Sequence, residues 1–364
     1  LRCKTLSLLF VPRLARGIEI FMEEVCKLIE NSKVLHPVAK AAQIDSRYWR
    51  DFLDVMRDYK AVLNESQFKS FLEKSQLDQY ISLPQYVQFA SEAYVVDYII
   101  RKYKDGFSYE PKYEGKKNPE CSFKYNGRKV NVEVKTPDLM KRIEQENNDG
   151  VKIYCAERLP DKADVDKVST FIGNRLGEKI NSVDRLDNKL KDYLVSANKK
   201  FPKTGEEYFN ILVIALDIIQ DMDEWYSYIF GNTGVFTKAS YVEEEYNNVD
   251  AILLTNIQHG HMTDDVMTDV NRWDLQNYVS LLFLNPQKEH TDGFGEYYFK
   301  YAVDIFGFCT RDFLVYQQEL DRQSDSETCS ENERSIYRKA LYLNEKLVDM
   351  SIISEWCKKQ GATS

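Results

Sequence analysis

Two glutamates and a lysine stand at spacings that would bring their side chains together on one short hairpin. Asn126-Gly127 is the strongest short-range signal for a two-residue hairpin turn, because both positions tolerate a positive φ. Counting outward from that turn places Glu120 opposite Glu133. Because side chains alternate along a strand, Lys135 lies on the same face as both glutamates. The opposite face carries the apolar residues Cys121, Phe123, Val130, Val132 and Val134.

Two opposed carboxylates need a partner that offsets their repulsion. Opposed residues of an antiparallel pair have Cβ atoms roughly 4.5–5.5 Å apart, and like charges so placed are destabilising. A divalent cation between Glu120 and Glu133 would offset the repulsion, and Mg²⁺ prefers a few carboxylate oxygens together with water and phosphate oxygens. Lys135 would stabilise developing negative charge or orient a water molecule. These residues point to metal-assisted hydrolysis of a phosphodiester, and the opposing interpretation is a charged, solvated face.

The same residues carry a family resemblance. Pro119-Glu120, twelve intervening residues and then Glu133-Val134-Lys135 resemble the PD-(D/E)XK signature of the restriction-endonuclease-like nuclease superfamily. The acid-x-Lys element matches fully, whereas Glu120 stands where the family usually has aspartate. The resemblance covers roughly residues 83 to 217, with an extension to 286 left open.

The resemblance implies an Mg²⁺-dependent deoxyribonuclease, with Mn²⁺ as a substitute metal. Glu120, Glu133 and the backbone carbonyl of Val134 would ligate the metal, and Lys135 would position the attacking water or stabilise the transition state. The substrate would be nucleic acid, with DNA favoured and with RNA and the choice between endonuclease and exonuclease left open. A homodimer is consistent with this activity, because cutting both strands of a duplex favours paired sites.

An acidic residue upstream also resembles part of the family site. Glu92 lies on an apolar helical stripe, where an unpaired charge is costly. The family often supplies an extra acid from a helix before the hairpin, so Glu92 would hold a metal-bound water or a second metal. The alternative is a boundary glutamate that reaches solvent. Asp97 has Arg101 four residues later, which predicts a surface ion pair.

Basic residues follow the hairpin on a predicted helix that begins near Gly177 and ends near Phe201. In nucleases of this type the corresponding helix often borders the substrate, so four of its bases are candidate substrate-binding residues: Lys179, Arg185, Lys189 and Lys199. Interleaved aspartates make a simple solvated face an equal alternative. The segment 169–177 is a candidate phosphate-contacting loop. His259-Gly260-His261 is incomplete as a zinc site, because it has no nearby cysteine.

Local patterns predict the elements that must position these residues. Asp45 and Asn64 are predicted to cap two N-terminal helices, and Pro84 is predicted to lie in the first turn of a longer helix. A strand is expected at 107–114, buried strands at 209–216, 251–254 and 278–284, and a terminal helix at 331–359. Their alternation predicts a mixed, partly parallel sheet.

The predicted fold class is therefore α/β, a restriction-endonuclease-like mixed β-sheet core flanked by helices. The expected organisation is an N-terminal helical region at 1–81, a nuclease-like core at 82–290 and a C-terminal extension at 291–364 that ends in a helix. The chain has 364 residues and a formal charge of −9, so it lacks the broadly basic character of a non-specific nucleic-acid binder.

Composition also bears on the setting. Seven dispersed cysteines predict reduced thiols in a cytoplasmic protein, and no apolar stretch approaches the ~20 residues that span a membrane.

Two hypotheses compete with the nuclease. One is a catalytically inactive nuclease-fold module that binds nucleic acid or a protein partner. The other is an interaction protein in which Glu92 does not converge with Glu120 and Glu133.

Overall fold

The computed structural model describes residues 25–27, 29, 36–77, 81–104, 106–114, 117–139, 151–153, 162–177, 180–182, 186–205, 207–230, 234–237, 240–262, 272–275, 278, 280–288 and 305–306. Contacts divide the chain into two units. The first comprises the described residues of Leu1–Thr136, Lys200–Ala215 and Ile257–Tyr278, and the second those of Pro137–Lys199, Leu216–Asn256 and Val279–Ser364.

The fold is mixed α/β, as the alternation of elements predicts. The helices are α1 (Pro37–Gln43), α2 (Arg47–Val62), α3 (Glu65–Ser75), α4 (Leu83–Lys102), α5 (Lys162–Leu176), α6 (Asp187–Lys200), α7 (Ile219–Phe230), α8 (Glu243–Tyr246) and α9 (His259–Met262). The strands are β1 (Ser108–Tyr109), β2 (Cys121–Tyr125), β3 (Arg128–Lys135), β4 (Val151–Ile153), β5 (Ile180–Ser182), β6 (Tyr208–Ala215), β7 (Ala251–Thr255) and β8 (Ser280–Leu284). In the described part of the chain, no helix is both long enough and apolar enough to cross a membrane.

The helix starts in the first unit follow capping chemistry. Asn64 caps α3 in a reciprocal capping box with Gln67, and Pro84 lies in the first turn of α4, so both predictions are confirmed. The predicted cap at Asp45 is wrong by one residue. Ser46 has the extended backbone of a cap and accepts a hydrogen bond from the backbone N–H of Trp49, whereas Asp45 has a left-handed φ of 49°.

The hairpin of the first unit forms in the register that its turn predicts. Asn126 and Gly127 both have positive φ, 45° and 80°, and Tyr125 lies opposite Arg128. The ladder continues to Cys121 opposite Val132. In this unit the strand order is β1-β2-β3-β6, with antiparallel pairs at β1–β2 and β2–β3 and a parallel pair at β3–β6.

β3 is an inner strand that is buried on both faces. It lies between β2 and β6, and α4 packs against it. Val130 and Val132 are fully buried, as their apolar alternation predicts, but Asn131 and Glu133 on the other face are also fully buried. The interpretation of that face as solvated is therefore wrong, because the strand has neighbours on both sides and a helix above it.

Two asparagines join β3 to β6 next to the buried glutamate. The Asn131 side-chain amide donates to Asn210 Oδ1 at 2.8 Å, and the Tyr113 hydroxyl donates to Asn131 Oδ1. Asn210 Nδ2 in turn donates to the carbonyl of Pro202 at 3.0 Å. Because buried polar groups are costly unless hydrogen-bonded, this chain of amides favours one register of β3 against β6.

Asn131→Val is expected to lower the free energy of unfolding by about 1–3 kcal/mol, because it removes the donor to Asn210 Oδ1 from a buried site. Denaturant unfolding measures the change. The double variant Asn131→Val, Asn210→Val should recover part of the loss, since replacing both partners by apolar groups costs less than orphaning one. An unchanged unfolding free energy in the single variant would contradict a role for this pair.

The second unit contains a parallel pair, β4–β5, and an antiparallel pair, β7–β8. The predicted strands at 251–254 and 278–284 are present as β7 and β8. The predicted helix from Gly177 to Phe201 is wrong in its first part. Gly177 has a φ of 68° just past the end of α5, β5 follows it, and α6 begins only at Asp187.

The structure tests some of the remaining predictions for this unit, and the others concern residues that it does not describe. Residues 169–176, predicted as a loop, belong to helix α5. The later part of the α6 pattern is confirmed, since Leu190, Leu194 and Ala197 are fully buried. The predicted terminal helix at 331–359 lies outside the described residues, as does the 291–364 extension apart from Ile305 and Phe306.

Candidate functional site

A cluster of alternating acids and lysines lies at one end of the hairpin in the first unit. Its members come from six places in the fold: α3, α4, the residue after β1, the residue before β2, strand β3, and the last residue of α6. We call it the acid–lysine cluster, and its residues are Lys74, Glu92, Glu110, Glu120, Glu133, Lys135 and Lys200.

Glu133 is the most buried member of the cluster. Its side chain is fully buried, and the ammonium groups of Lys135 and Lys200 each lie 2.7 Å from its Oε1 atom. Lys200 also donates a hydrogen bond to Glu133 Oε2 at 2.9 Å. Burial and the neighbouring Glu120 raise the pKa of Glu133, and the two lysines oppose that rise. The buried carboxylate is thus held by two cations.

Glu120 lies one residue before β2 and shares a cation with Glu133. The Lys200 ammonium donates to Glu120 Oε1 at 3.2 Å and so bridges the two carboxylates. Burial acts to lower the pKa of Lys200, but Glu133 and Glu120 outweigh it and raise the pKa above its ordinary value. Lys200 therefore stays charged between the two acids.

Glu92 completes the group of three acids that the sequence singles out. Burial raises the pKa of Glu92 to about 8, and a hydrogen bond with the Glu120 carboxyl contributes to the rise. At neutral pH Glu92 therefore keeps its proton. On its other side, Glu92 accepts a hydrogen bond from Lys74 at 3.2 Å.

Lys74 extends the cluster to its more exposed end. It donates to Glu110 Oε1 at 2.8 Å and to the Tyr109 hydroxyl at 3.3 Å. Burial acts to lower its pKa, but Glu92 and its other partners raise the pKa above the ordinary value. The Lys74 side chain is 39% exposed, compared with 17% for Lys200. The cluster thus runs from a solvent-facing end at Lys74 to a buried end at Glu133.

The structure brings together all four acid and lysine residues that the sequence assigns to the reaction: Glu92, Glu120, Glu133 and Lys135. The interaction-protein hypothesis expects Glu92 to lie apart from the other two acids, and this convergence speaks against it. Val134, the family-implied carbonyl ligand, lies on β3 between Glu133 and Lys135, and its side chain is buried.

The sequence did not single out Lys74, Glu110 or Lys200 as site residues. Lys200 was only one of several bases on a helix. The helical pattern contains a signal for it, because Leu190, Leu194 and Ala197 define the buried face of α6, and Lys200 follows Ala197 by three residues. Nothing in the local pattern points to Lys74 or Glu110.

The predicted substrate-binding bases do not all have a described position. Lys179 and Arg185 lie outside the described residues. Lys189 and Lys199 are exposed on α6 and belong to the second unit. Neither of the two is a member of the acid–lysine cluster.

Two other sequence interpretations are resolved by burial. The ion pair between Asp97 and Arg101 is present at 2.9 Å, but Asp97 is buried, so the prediction of a surface pair is wrong. In His259-Gly260-His261, His259 is exposed while His261 is buried, and its Nδ1 atom lies 2.8 Å from the Tyr48 hydroxyl. Burial lowers the pKa of His261 to about 3, so His261 is a neutral core residue.

The donor set of the cluster suits a hard divalent cation. Carboxylate and carbonyl oxygens are the ligands that Mg²⁺ prefers, and it usually keeps several waters and uses one or two protein carboxylates. Glu120 and Glu133 already share one cationic group, the Lys200 ammonium. Among the described residues, no three or more His, Cys, Asp or Glu side chains form a group that could hold a metal ion. Any Mg²⁺ held by Glu120 and Glu133 would therefore have to keep several waters.

The raised pKa of Glu92 predicts how stability changes with pH. A carboxyl whose folded-state pKa lies above its unfolded value binds more protons in the native state, so its stabilisation is complete below the unfolded pKa and is lost as pH rises through the folded pKa. For Glu92 that loss extends from its ordinary value of 4.5 to about 8. In Glu92→Gln, thermal unfolding should show a smaller fall in stability across this range. Glu73→Gln, at a side chain that is 69% exposed, is the matched control and should follow the parent.

Comparison with known proteins adds no relative to this picture: no protein-family model matches the chain, and no curated protein or solved structure is significantly similar to it.

Proposed function

We propose that this chain is a metal-dependent nuclease of the PD-(D/E)XK type that hydrolyses phosphodiester bonds, most readily those of DNA. The observation that carries the proposal is the state of Glu133. It is fully buried, it shares the Lys200 cation with Glu120, and Lys135 lies 2.7 Å from its Oε1 atom. A buried carboxylate held this way is costly to build, which is typical of a functional site.

The arrangement of strands and helices around the cluster also supports the proposal. The hairpin carries the acids, β3 pairs in parallel with β6, and α4 supplies Glu92 from the helix that packs on β3. This arrangement is the one expected of a restriction-endonuclease-like core.

Mg²⁺ would be held by Glu120, Glu133 and the backbone carbonyl of Val134, with Glu92 reaching it through water. When bound, the metal would supply Lewis-acid stabilisation of phosphate oxygens and a more acidic water. Glu133 orients the ammonium of Lys135, whose side chain is 21% exposed at the last residue of β3 and is available to developing negative charge. Burial raises the pKa of Glu92 to about 8, so Glu92 keeps its proton at neutral pH and is a candidate to release it during the reaction.

A second candidate is a nuclease-fold module that binds nucleic acid or a protein partner without cutting it. One observation favours it: the Lys200 ammonium bridges the two carboxylates, so the acids are neutralised by the protein itself. Glu120 in place of the usual aspartate favours it as well.

The proposed setting is the cytoplasm, with nucleic acid as the partner and paired copies cutting a duplex. Cys121 is a buried free thiol, which supports a reducing compartment.

Cleavage assays distinguish the two candidates. Supercoiled plasmid, linear duplex, single-stranded DNA and RNA are incubated with the parent chain and Mg²⁺, Mn²⁺ or EDTA. The nuclease predicts cutting with either metal and none with EDTA. Absence of cutting on all four substrates, together with binding that is independent of metal, would replace the nuclease by the binding module.

A further inference from the structure

Two lysines face one another near the turn of the hairpin in the first unit. Lys124 on β2 lies directly opposite Lys129 on β3, and we call these two residues the lysine pair. Opposed residues of an antiparallel pair have Cβ atoms roughly 4.5–5.5 Å apart, so two like charges at these positions destabilise the hairpin. An anion that contacts both ammonium groups would offset their repulsion.

The lysine pair has no acidic partner in the part of the chain that the structure describes. Neither ammonium makes an ion pair or a hydrogen bond with a residue of that part. Burial lowers the pKa of Lys129, the charge of Lys124 lowers it further, and no carboxylate opposes them. The lysines of the acid–lysine cluster differ, because each of them contacts at least one carboxylate.

The Tyr113 ring holds the Lys129 side chain in position without neutralising its charge. The Lys129 ammonium lies 4.9 Å from the centre of that ring, and the Tyr113 hydroxyl donates to Asn131 Oδ1. The Lys124 side chain is exposed and the Lys129 side chain is partly exposed, so an anion can reach both from solvent. A cation that is already held in place loses less conformational freedom when it binds a ligand.

The lysine pair lies on the same face of the hairpin as Glu133. Side chains alternate along β3, so Lys129, Asn131 and Glu133 share one face of the strand. Four residues separate Lys129 from Glu133, which at about 3.3 Å per residue is roughly 13 Å along the strand. A phosphate at the lysine pair is therefore a different phosphate from the one that Glu133 would bring to the metal.

We propose that Lys124 and Lys129 together bind a backbone phosphate of the nucleic acid, away from the phosphate that the acid–lysine cluster would hydrolyse. This inference rests on the proposed function, because it assigns the lysine pair to the substrate of that site. Lysine binds phosphate as a point charge, and contacts to the phosphate backbone carry no sequence information. The pair therefore raises affinity equally for all base sequences.

Fluorescence anisotropy of a labelled DNA duplex, measured with the full chain in EDTA over a series of salt concentrations, tests the inference. The double variant Lys124→Met, Lys129→Met should bind about tenfold more weakly than the parent at about 0.1 M salt, and the slope of log Kd against log salt concentration should fall by about 1. The fold should survive, because the change removes two opposed like charges. Lys124→Met alone, at an exposed side chain, remains informative if the double variant unfolds.

The matched control is the double variant Lys40→Met, Lys69→Met. Both lysines are exposed, they lie on α1 and α3, and their replacement changes the net charge by the same amount. This variant should keep the salt slope of the parent. Equal weakening by the two double variants, a parent-like slope in Lys124→Met, Lys129→Met, or no binding of the duplex by the parent would each overturn the inference.

Failure of this inference can be told apart from failure of the proposed nuclease. Because binding is measured in EDTA, a parent chain that cuts no substrate can still show the loss of affinity and slope in the double variant, which would support the phosphate site. Cutting of DNA by the parent with Mg²⁺, together with unchanged binding by the double variant, would keep the nuclease and overturn the phosphate site.

Discussion

Replacing Lys135 with methionine is expected to lower the rate of metal-dependent DNA cleavage by about 10²–10³-fold, the usual loss when one preorganised donor to developing charge is removed. Methionine keeps much of the length and apolar stem of lysine and removes the ammonium. The fold should survive, because Glu133 keeps its contacts with Lys200 at 2.7 and 2.9 Å. Single-turnover cleavage of a linear duplex with saturating Mg²⁺ measures the rate.

A matched lysine on the surface separates this effect from loss of charge in general. Lys69 on α3 is 80% exposed, and its ammonium lies 4.0 Å from a carboxylate oxygen of Glu73. Lys69→Met should therefore cut DNA at the parent rate. If Lys135→Met also cuts at the parent rate, Lys135 has no role in the chemical step, even though the parent chain cleaves DNA.

Glu133→Gln provides the companion test at the other half of the pair. The substitution keeps the shape of the side chain and removes the charge that both lysines contact. Cleavage should be lost with Mg²⁺ and should not return with Mn²⁺, since either metal would need this carboxylate. Cleavage by Glu133→Gln at the parent rate would remove the basis for the proposed metal site.

The parts of this site that could be predicted from sequence are those that depend on local chemistry. Asn126-Gly127 fixes a two-residue turn, and the turn fixes which residues of β2 and β3 face one another. The same counting places Glu133 and Lys135 on one face, where the structure pairs them. The cap at Asn64 is predictable for the same reason, since its partner Gln67 is three residues away.

The parts that failed depend on what packs against each element. The second face of β3 carries the polar residues Asn131 and Glu133, a pattern typical of a solvated face. Both residues are fully buried, because β6 and α4 pack against the strand. The helix predicted to begin near Gly177 includes Ile180 in its apolar spacing, whereas the backbone at Gly177 has a positive φ and Ile180 begins strand β5. The spacing of apolar residues alone does not show that a turn and a strand interrupt the helix.

The lysines of the cluster show the same division. Lys135 is two residues from Glu133 and follows from strand alternation. Lys200 is 67 residues from Glu133, and Lys74 is 18 residues from Glu92, so only the tertiary fold brings each pair together. Lys199, which was favoured as a substrate-binding base, is exposed, while its neighbour Lys200 contacts both acids.

Lys200→Met is expected to make the stability of the first unit depend on divalent metal. The variant removes the cation that bridges Glu120 and Glu133 and leaves two carboxylates facing one another. Removing one partner of a buried ion pair costs about 3–5 kcal/mol, and we expect the lower end because Lys135 still contacts Glu133. Denaturant unfolding in EDTA measures this loss.

Added Mg²⁺ or Mn²⁺ should restore stability to the variant. A ligand at about 100 times its Kd stabilises the native state by about 2.7 kcal/mol, and the variant lacks the Lys200 ammonium that bridges the two carboxylates in the parent. The rise in unfolding free energy on adding metal should therefore be larger in Lys200→Met than in the parent, with sodium chloride matching the ionic strength. The double variant Glu120→Gln, Lys200→Met lacks one of the two carboxylates, and its response to metal should be small.

This comparison detects metal binding by its effect on the free energy of unfolding, so it does not depend on cleavage activity. A metal response in Lys200→Met that the double variant loses would assign the ion to the space between Glu120 and Glu133, which Lys200 bridges in the structure. If the parent also cuts DNA, the Lys200 ammonium must move away from Glu120 and Glu133 before each reaction. If the parent binds nucleic acid without cutting it, the same result would mean that Lys200 takes the place of the metal and that the chain is the binding module. Equal responses to metal in the parent, the variant and the double variant would contradict a metal site at these carboxylates altogether.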